Sequence, residues 1–530
     1  MKRFIISTAA LLGLAQGFSS CKKDFLDETP QSLYAPQTTL VDSLGFEAGM
    51  AGLMSVVRDQ YTTTEPQGTL GVMQVGTDVV IPAMPQGVEV PYYNYEKLQS
   101  QDPGSLFYWS AAYRIVNNAN ILIQATATAP ATLRQGYKNR ISAEARFYRA
   151  YAYNFLATLW GDVPLIDQAV TTPRTDFTRT PVADVNAFLI KDLTTAIPNL
   201  FLAGKAASGR ITQGAAQQLL AEVYLRTGQN KLAEDQCQAI LASNQYKLIA
   251  ARYGVRAGAP GDYYSDMFII GNQRRNQGNT ELIWGIEQQL NVPGGYNVTS
   301  TTNQGGQQRR VWVPGYYNIA GMLIADSLGG RGIGRMRLSQ WVDYRLYPPG
   351  DMRNSKYNIH RKFFYNDPKS ANYGKRVVVT GSDTLIRITP YTTKWNMYNP
   401  VDEFGLATIK DLPMMRLGET YLLLAEAQFK QGNTAGAAAS INALRTRAKA
   451  PPVAASDIDL NFILDERARE LIGEEQRRLT LVRTGTLVER TLRLAGNYVT
   501  GLTKNNLLLP IPQSEIDRNV SGGLTQNPGY

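Results

Sequence analysis

Residues 411–448 read DLPMMRLGETYLLLAEAQFKQGNTAGAAASINALRTRA. Within them Tyr421, Ala425 and Phe429 recur at the spacing that keeps side chains on one helical face. Gly432 follows where a helix needs a C-terminal residue that tolerates positive φ. The alanines after it suit a second helix, 435–447, that approaches the first closely. The stretch therefore predicts a hairpin of two antiparallel helices.

The same pattern occurs earlier in the chain, at residues 219–243. Leu220-Ala221-Glu222 corresponds to Leu424-Ala425-Glu426, and Gly228 then takes the place of Gly432. Repeated helical hairpins of this kind are typical of tetratricopeptide-like units, which bury their faces only by stacking on neighbours. The pattern predicts an all-α scaffold of helical hairpins rather than a reaction centre.

Composition indicates a globular chain with a substantial core. The 530 residues are 44% hydrophobic and 18% charged, which argues against wholesale disorder. The formal net charge of +10 is spread along the chain in pairs such as Arg309-Arg310. It does not form the basic runs typical of nucleic-acid binding, so no nucleic-acid partner is expected.

The N-terminus predicts an exported lipoprotein. Lys2 and Arg3 precede an apolar run that is too short to span a bilayer, so residues 1–20 are interpreted as a signal peptide. The sequence up to Cys21 resembles a bacterial lipobox, with Phe18 where leucine is usual. We therefore expect acylation of Cys21 and a membrane anchor; the alternative is a secreted protein with an unmodified Cys21. Cys237 then remains alone and is predicted to be buried.

Catalytic motifs are lacking in the sequence. His360 is the only histidine, which excludes histidine-rich zinc sites. A pair of carboxylates could serve a glycosidase, but the most regularly placed acids lie on predicted helices near arginines, where ion pairs explain them. They are Glu144, Glu222, Glu419, Glu426 and Glu466. We expect no enzymatic activity, no cofactor and no metal site; a surface glycosidase is the alternative from another class.

Further segments carry a family resemblance because they occur in a fixed order. They are DFLDETP (24–30), AEARFYRAYAYNFLATLWGDVPLI (143–166), LLAEVYLRTGQ (219–229), LDERARELIGEEQRRLTLVRTG (464–485), LLLPIPQSEI (507–516) and LTQNPGY (524–530). Together with residues 411–448, they resemble the SusD/RagB family of lipid-anchored, glycan-binding proteins on the bacterial outer membrane.

The resemblance implies an architecture and a partner. It implies one domain, 21–530, whose helical parts 21–250 and 401–530 flank a variable, loop-rich part, 251–400, with short strands. It also implies a position on the extracellular side of the outer membrane, over a SusC-like TonB-dependent transporter that receives the captured glycan. Two other functions stay open: a peptide-binding lid of a RagA-like importer, and a purely structural adaptor.

Two loop-rich stretches, 77–95 and 291–317, are the candidate ligand contacts. Sugar rings lay their C–H faces on exposed aromatic rings, and polar side chains bind the hydroxyls around them. The candidate aromatic residues are Tyr92, Tyr93, Tyr95, Tyr296, Trp312, Tyr316 and Tyr317. The candidate polar residues are Asp78, Asn94, Asn297, Gln307 and Arg310. Trp109, Trp160, Trp284 and Trp395 are predicted to lie in the core.

Overall fold

The structure, a computed structural model, describes residues 36–62, 66–289, 306–400, 402–405 and 408–530. The predicted signal peptide, Cys21, Tyr296 and Asn297 lie outside these residues.

Helices dominate the part of the chain that the structure describes. The α-helices are α1 Pro36–Thr39, α2 Ser43–Asp59, α3 Pro103–Thr128, α4 Gln135–Trp160, α5 Val182–Ala196, α6 Gln213–Arg226, α7 Asn230–Ala242, α8 Tyr263–Asp266, α9 Gln308–Trp312, α10 Gln340–Tyr344, α11 Asp383–Ile386, α12 Leu417–Lys430, α13 Thr434–Arg447, α14 Leu460–Leu471, α15 Arg477–Arg483, α16 Leu487–Leu494 and α17 Gln513–Arg518. Short 3₁₀ turns lie in the connections. The all-α prediction is confirmed.

Six short strands form three separate antiparallel pairs. They are β1 Val80–Pro82 with β3 Met336–Leu338, β2 Leu282–Ile286 with β6 Leu412–Arg416, and β4 Ile359–His360 with β5 Tyr391–Thr392. β2, β3, β4 and β5 lie within residues 251–400, where short strands were expected. Each pair joins distant parts of the sequence, so the strands attach the irregular middle of the chain to the helical frame.

The helical hairpin at 411–448 is present as α12 and α13, and its earlier counterpart as α6 and α7. Gly432 and Gly228 end the first helix of each hairpin with φ of 79° and 76°, which only glycine adopts without strain. The start of this stretch is not helical. Residues 412–416 form strand β6, which pairs with β2 before α12 begins. The two hairpins pack on each other through α7 and α12, as stacked helical repeats do.

The predicted core residues are buried. Trp109, Trp160, Trp284 and Trp395 are at most 6% exposed, and Cys237 is fully buried in α7. Trp160 donates its indole N–H to the carbonyl oxygen of Pro510, so the end of α4 is held against the C-terminal segment. None of the described helices is long and apolar enough to cross a membrane.

Buried ion pairs connect the helices of the frame. The regularly placed glutamates have mostly the predicted role: Glu144 contacts Arg140 and Arg210, and Glu419 contacts Arg467. Glu466 and Glu426 are likewise paired with arginines. Glu222 differs, because it accepts a hydrogen bond from the Asn154 side chain at 3.4 Å. These carboxylates therefore hold helices together and are not arranged as a catalytic pair.

Glu426 gives the frame a pH-dependent contribution to stability. Burial alone would raise the pKa of this carboxyl, but Arg483, with two contacts of 2.7 Å, and Lys430, at 2.8 Å, outweigh it and hold the pKa at about 2. Since the unfolded value is ~4.3, the contribution is complete above pH ~5 and is lost as the pH falls towards 2.

We expect Glu426→Gln to lower the free energy of unfolding by roughly 2–3 kcal/mol at pH 7. The gap between variant and wild type should narrow steadily between pH ~4.5 and 2, because the wild-type carboxyl also becomes neutral there. Urea unfolding across this pH range measures the gap. A difference that stays constant with pH would show that the Glu426 charge is not stabilising.

Candidate ligand-binding surface

The first candidate loop, 77–95, places two of its tyrosines in the core. Tyr92 is fully buried and Tyr95 is 3% exposed. The Tyr92 hydroxyl donates to Asp102 Oδ2 at 2.5 Å, and the Arg478 guanidinium lies 5.1 Å from the Tyr92 ring centroid. Neither ring has a face open to a ligand, so their assignment as ligand contacts is corrected to a structural role.

Asp78 is also a structural residue. Its side chain is fully buried and accepts from Arg477 at 2.6 and 2.8 Å and from Arg490 at 2.9 Å. Burial alone would raise the pKa of the Asp78 carboxyl, but the two arginines outweigh it and lower the pKa. The carboxylate thereby ties the first loop to α15 and α16, and both its oxygens are engaged within the protein. The ligand-binding assignment of Asp78 is corrected accordingly.

Tyr93 is the tyrosine of the first loop that is partly exposed. Burial raises the pKa of its hydroxyl, and the nearby Glu89 adds to the effect. Its backbone is fixed through its carbonyl oxygen, which accepts from the Thr500 N–H at 2.8 Å. Tyr93 therefore stays a predicted ligand contact.

The second candidate stretch also contributes residues to the core. Trp312 is 3% exposed in α9, and Tyr316 is fully buried with its hydroxyl donating to the Gly330 carbonyl oxygen at 2.9 Å. Their assignment as ligand contacts is corrected, because both side chains are buried, and the cavity that Trp312 lines, of about 140 Å³, is smaller than a usual ligand pocket. Gln307 is buried as well. Tyr317 is partly exposed, with its ring nearly perpendicular to that of Tyr316.

An exposed aromatic group lies beside this stretch, on the segment that follows Trp395. Phe404 is 60% exposed, and Tyr398 is partly exposed. The Tyr398 hydroxyl donates to Glu403 Oε1 at 2.5 Å. Arg331 donates to the Phe404 carbonyl oxygen at 2.6 Å, and its guanidinium lies 5.7 Å from the Phe404 ring centroid. We call Tyr317, Tyr398, Phe404 and Arg331 the Phe404 surface.

Two buried arginines, Arg309 and Arg310, lie within electrostatic reach of Arg331. Arg309 donates to the carbonyl oxygens of Met397 and Gly405, which fixes the segment that carries Tyr398 and Phe404. Arg310 is 6% exposed, and its Nε and Nη1 have no hydrogen-bond partner among the residues that the structure describes. Burial lowers the pKa of both guanidinium groups to about 10, and Arg331 adds to the effect.

Arg310 belongs near this surface, although the sequence placed it among exposed loop residues. It lies within electrostatic reach of both Arg331 and Tyr317. In the described residues, no carboxylate forms an ion pair with Arg309, Arg310 or Arg331. These three guanidinium groups are therefore not held by carboxylate contacts, although Asp402 lies within electrostatic reach of Arg309. Arg310 stays a predicted ligand contact, although its side chain is nearly buried.

The first loop reaches the same surface at its edge. Met84, which is 42% exposed, donates its backbone N–H to the Gly334 carbonyl oxygen at 3.0 Å. Gly334 in turn donates to the Arg310 carbonyl oxygen at 3.1 Å. The structure thus brings parts of the two predicted loops together, but through Met84 and Arg310 rather than through Tyr92 and Tyr95.

The Phe404 surface has the chemistry of a carbohydrate contact. An exposed ring beside a guanidinium and a carboxylate offers an apolar face for sugar C–H groups and hydrogen-bonding groups at its rim. Tyr398 and Phe404 were not among the residues that the sequence predicted as ligand contacts. A signal was available, because two aromatic residues stand among the turn-forming residues of YNPVDEFG, 398–405.

The described residues also line three partly open cavities. One, of about 140 Å³, lies between α4, α6, α12 and α15 and is smaller than the ~300 Å³ at which ligand pockets usually begin. Two larger cavities, of about 510 and 340 Å³, open elsewhere. No group of three or more metal-ligating side chains occurs in the described part of the chain.

Comparisons with known proteins point to one family. A family model described as "SusD family" matches residues 386–530, and one described as "Starch-binding associating with outer membrane" matches residues 24–225. The SusD-like protein P25 of Formosa agariphila is 24% identical over 94% of both chains. The starch-binding protein SusD of Bacteroides thetaiotaomicron is 25% identical over 75% of this chain and 73% of that protein.

Solved structures agree on the fold. Surface glycan-binding protein A from Bacteroides thetaiotaomicron, solved in complex with laminarihexaose, superposes with a TM-score of 0.70. It is 18% identical, and the match covers 92% of this chain and 99% of that one. At this identity the likeness establishes a shared fold.

Proposed function

Because the chain belongs to the SusD/RagB family, we propose that it captures oligosaccharide or polysaccharide at the cell surface and delivers it to a SusC-like TonB-dependent transporter. The observation that carries the proposal is the exposed Phe404 ring beside Arg331. The protein is a binding protein rather than an enzyme, and no catalytic step enters the proposal.

The proposed location follows from the N-terminal sequence and from the description of the matching family model. Cleavage before Cys21 and acylation of its side chain and new N-terminus would anchor the chain in the outer membrane. The part that the structure describes, which begins at residue 36, would then face the extracellular side within one domain that has a helical frame and a loop-rich middle. Metabolic labelling with a fatty acid, compared between wild type and Cys21→Ala, tests the anchor.

Glycan binding is tested with a protein that begins after Cys21 and therefore carries neither the predicted signal peptide nor the anchor. We expect retardation in affinity gels that contain at least one polysaccharide from a panel of α-glucans, β-glucans, galactans and polyuronates. Mixed peptides of three to fifteen residues form the comparison arm, measured by calorimetry. Binding of peptides without binding of any glycan would replace the glycan function with that of a peptide-importer lid.

A further inference from the structure

A cavity of about 510 Å³ lies next to the Phe404 surface, and its size is within the range of ligand pockets. Tyr398 lines this cavity and also belongs to the Phe404 surface. The exposed side chains of Arg256, Asp326 and Lys356 mark the mouth. Lys410, which is 4% exposed, lies among the buried residues of the lining. A ligand on the Phe404 surface can therefore extend a substituent into the cavity past Tyr398.

The charges around this cavity are unbalanced. Its carboxylates each have an arginine partner: Asp266 contacts Arg252 at 2.6 Å, and Asp326 contacts Arg256 at 2.8 Å. Lys410 and Lys356, by contrast, have no ion pair with a carboxylate in the described residues. Lys356, and Lys410 when it is protonated, thus add positive charge to the lining beyond its two arginine–carboxylate pairs.

Lys410 has fewer partners for its donor hydrogens than Lys356, because Lys410 is buried whereas Lys356 is exposed to water. Its Nζ carries three donor hydrogens, and the hydrogen bond formed is to the Asn396 carbonyl oxygen at 3.0 Å. Burying a charged group without an opposite charge is costly unless something compensates for the lost water. An anion inside the cavity would supply that compensation.

We propose that this cavity receives the acidic group of a charged sugar unit, a uronate carboxylate or a sulfate ester, while adjacent sugar rings lie on the Phe404 surface. This inference rests on the proposed glycan function and narrows its substrate class. Arg331, which lies beside Phe404 and forms no ion pair with a carboxylate of the described residues, is a further cationic group on the Phe404 surface.

A pH dependence follows from the surroundings of Lys410. Burial lowers the pKa of its ammonium group to about 7; Asp326 partly opposes this, and Arg256 adds to it. The other charged residues of the lining are Arg252, Asp266 and Lys356, and burial lowers the pKa of His360 to about 4, so its ring is neutral. An anion favours the protonated lysine, so binding takes up a proton. Affinity for an acidic sugar should therefore rise as the pH falls from 8 to 6.

The test compares neutral, uronate-containing and sulfated oligosaccharides of four to six units by calorimetry at pH 6 and pH 8. Wild type, Lys410→Met and Lys356→Met are titrated with each. Lys231→Met is the matched control, because Lys231 lies on α7 with a 67% exposed side chain and is absent from the lining of this cavity. Free galacturonate and inorganic sulfate are added to the same proteins in thermal-shift measurements.

We expect an acidic oligosaccharide to bind the wild type at least tenfold more tightly than a neutral one of the same length. Lys410→Met should remove most of that preference and its pH dependence, Lys356→Met should reduce it severalfold, and Lys231→Met should leave it unchanged. Preference for the uronate or for the sulfated oligosaccharide identifies the acidic group. Galacturonate or sulfate should raise the melting temperature of wild type and not that of Lys410→Met.

Equal affinity of neutral and acidic oligosaccharides would overturn the inference and leave the glycan function standing. An acidic preference that survives both Lys410→Met and Lys356→Met would also overturn it, since the charge would then be recognised elsewhere. Failure of every glycan, neutral or acidic, would count against the proposed function itself. Lys410→Met removes a buried charge, so we expect it to fold; a folded Lys356→Met provides the second measurement at an exposed position.

Discussion

Glu470→Gln is expected to lower the free energy of unfolding by roughly 3–5 kcal/mol, because it removes a buried carboxylate that three buried arginines share. Glu470 is fully buried on α14. Its carboxylate accepts from Arg353 at 3.0 Å, from Arg416 at 2.5 Å and from Arg447. Burial alone would raise the pKa of this carboxyl, but the three arginines outweigh it and hold the pKa well below its usual range.

The position of Glu470 explains why the effect should be large. Arg416 ends β6 and Arg447 ends α13, so one carboxylate joins the strand, the hairpin and α14. Arg416 and Arg447 also share Glu281, the residue just before β2. Neutralising Glu470 therefore removes the carboxylate that lies between three buried guanidinium groups, where water cannot replace it.

Glu489→Gln is the matched control for Glu470→Gln. Glu489 forms an ion pair with Arg493 at 2.8 Å, but on an exposed helix surface, where such pairs contribute ~0.5 kcal/mol or less. Both variants are compared with wild type by urea unfolding at pH 7. Equal losses from the two variants would show that the buried cluster is no more important to stability than a surface pair.

Replacing both Phe404 and Tyr398 with alanine is expected to weaken glycan binding by about 30-fold or more, which corresponds to ~2 kcal/mol. Phe404 offers the larger exposed ring, and Tyr398 adds a second ring whose hydroxyl is held by Glu403. Both side chains lie on an exposed segment, so the melting temperature should change little. Calorimetry with the best glycan from the panel measures the loss.

Tyr344→Ala is the control for this double variant. Tyr344 is 80% exposed at the end of α10, and it tests whether any exposed aromatic residue contributes to binding. We expect its affinity to match that of wild type. A double variant that binds as tightly as Tyr344→Ala would remove the Phe404 surface as the binding site.

The helical frame was predictable because its signals are local. Spacing of apolar residues and the glycines Gly228 and Gly432 indicated both hairpins, and the structure contains them at the predicted places. The strand at 412–416 was not recognised, because it is fixed by pairing with residues 282–286, far away in the sequence. Non-local pairing of this kind has no signature within a single window of sequence.

The ligand contacts were less predictable, since exposure depends on what packs over a residue. Tyr92 and Tyr316 stand among glycines, prolines and polar residues, yet Asp102 and Gly330 accept from their buried hydroxyls. The structural role of Asp78 was unpredictable for the same reason, because its partners Arg477 and Arg490 lie near the other end of the chain. Phe404 is the opposite case, because this aromatic residue remains exposed in the folded protein.

A structure of the protein with its bound oligosaccharide tests the central claim most directly. The account predicts a sugar ring lying on Phe404, with carbon atoms about 4 Å from the aromatic ring, and hydroxyl groups near Arg331 and Glu403. A sugar bound elsewhere, for example in the cavity of about 340 Å³ beside Ser208 and Glu287, with Phe404 left uncovered, would contradict it.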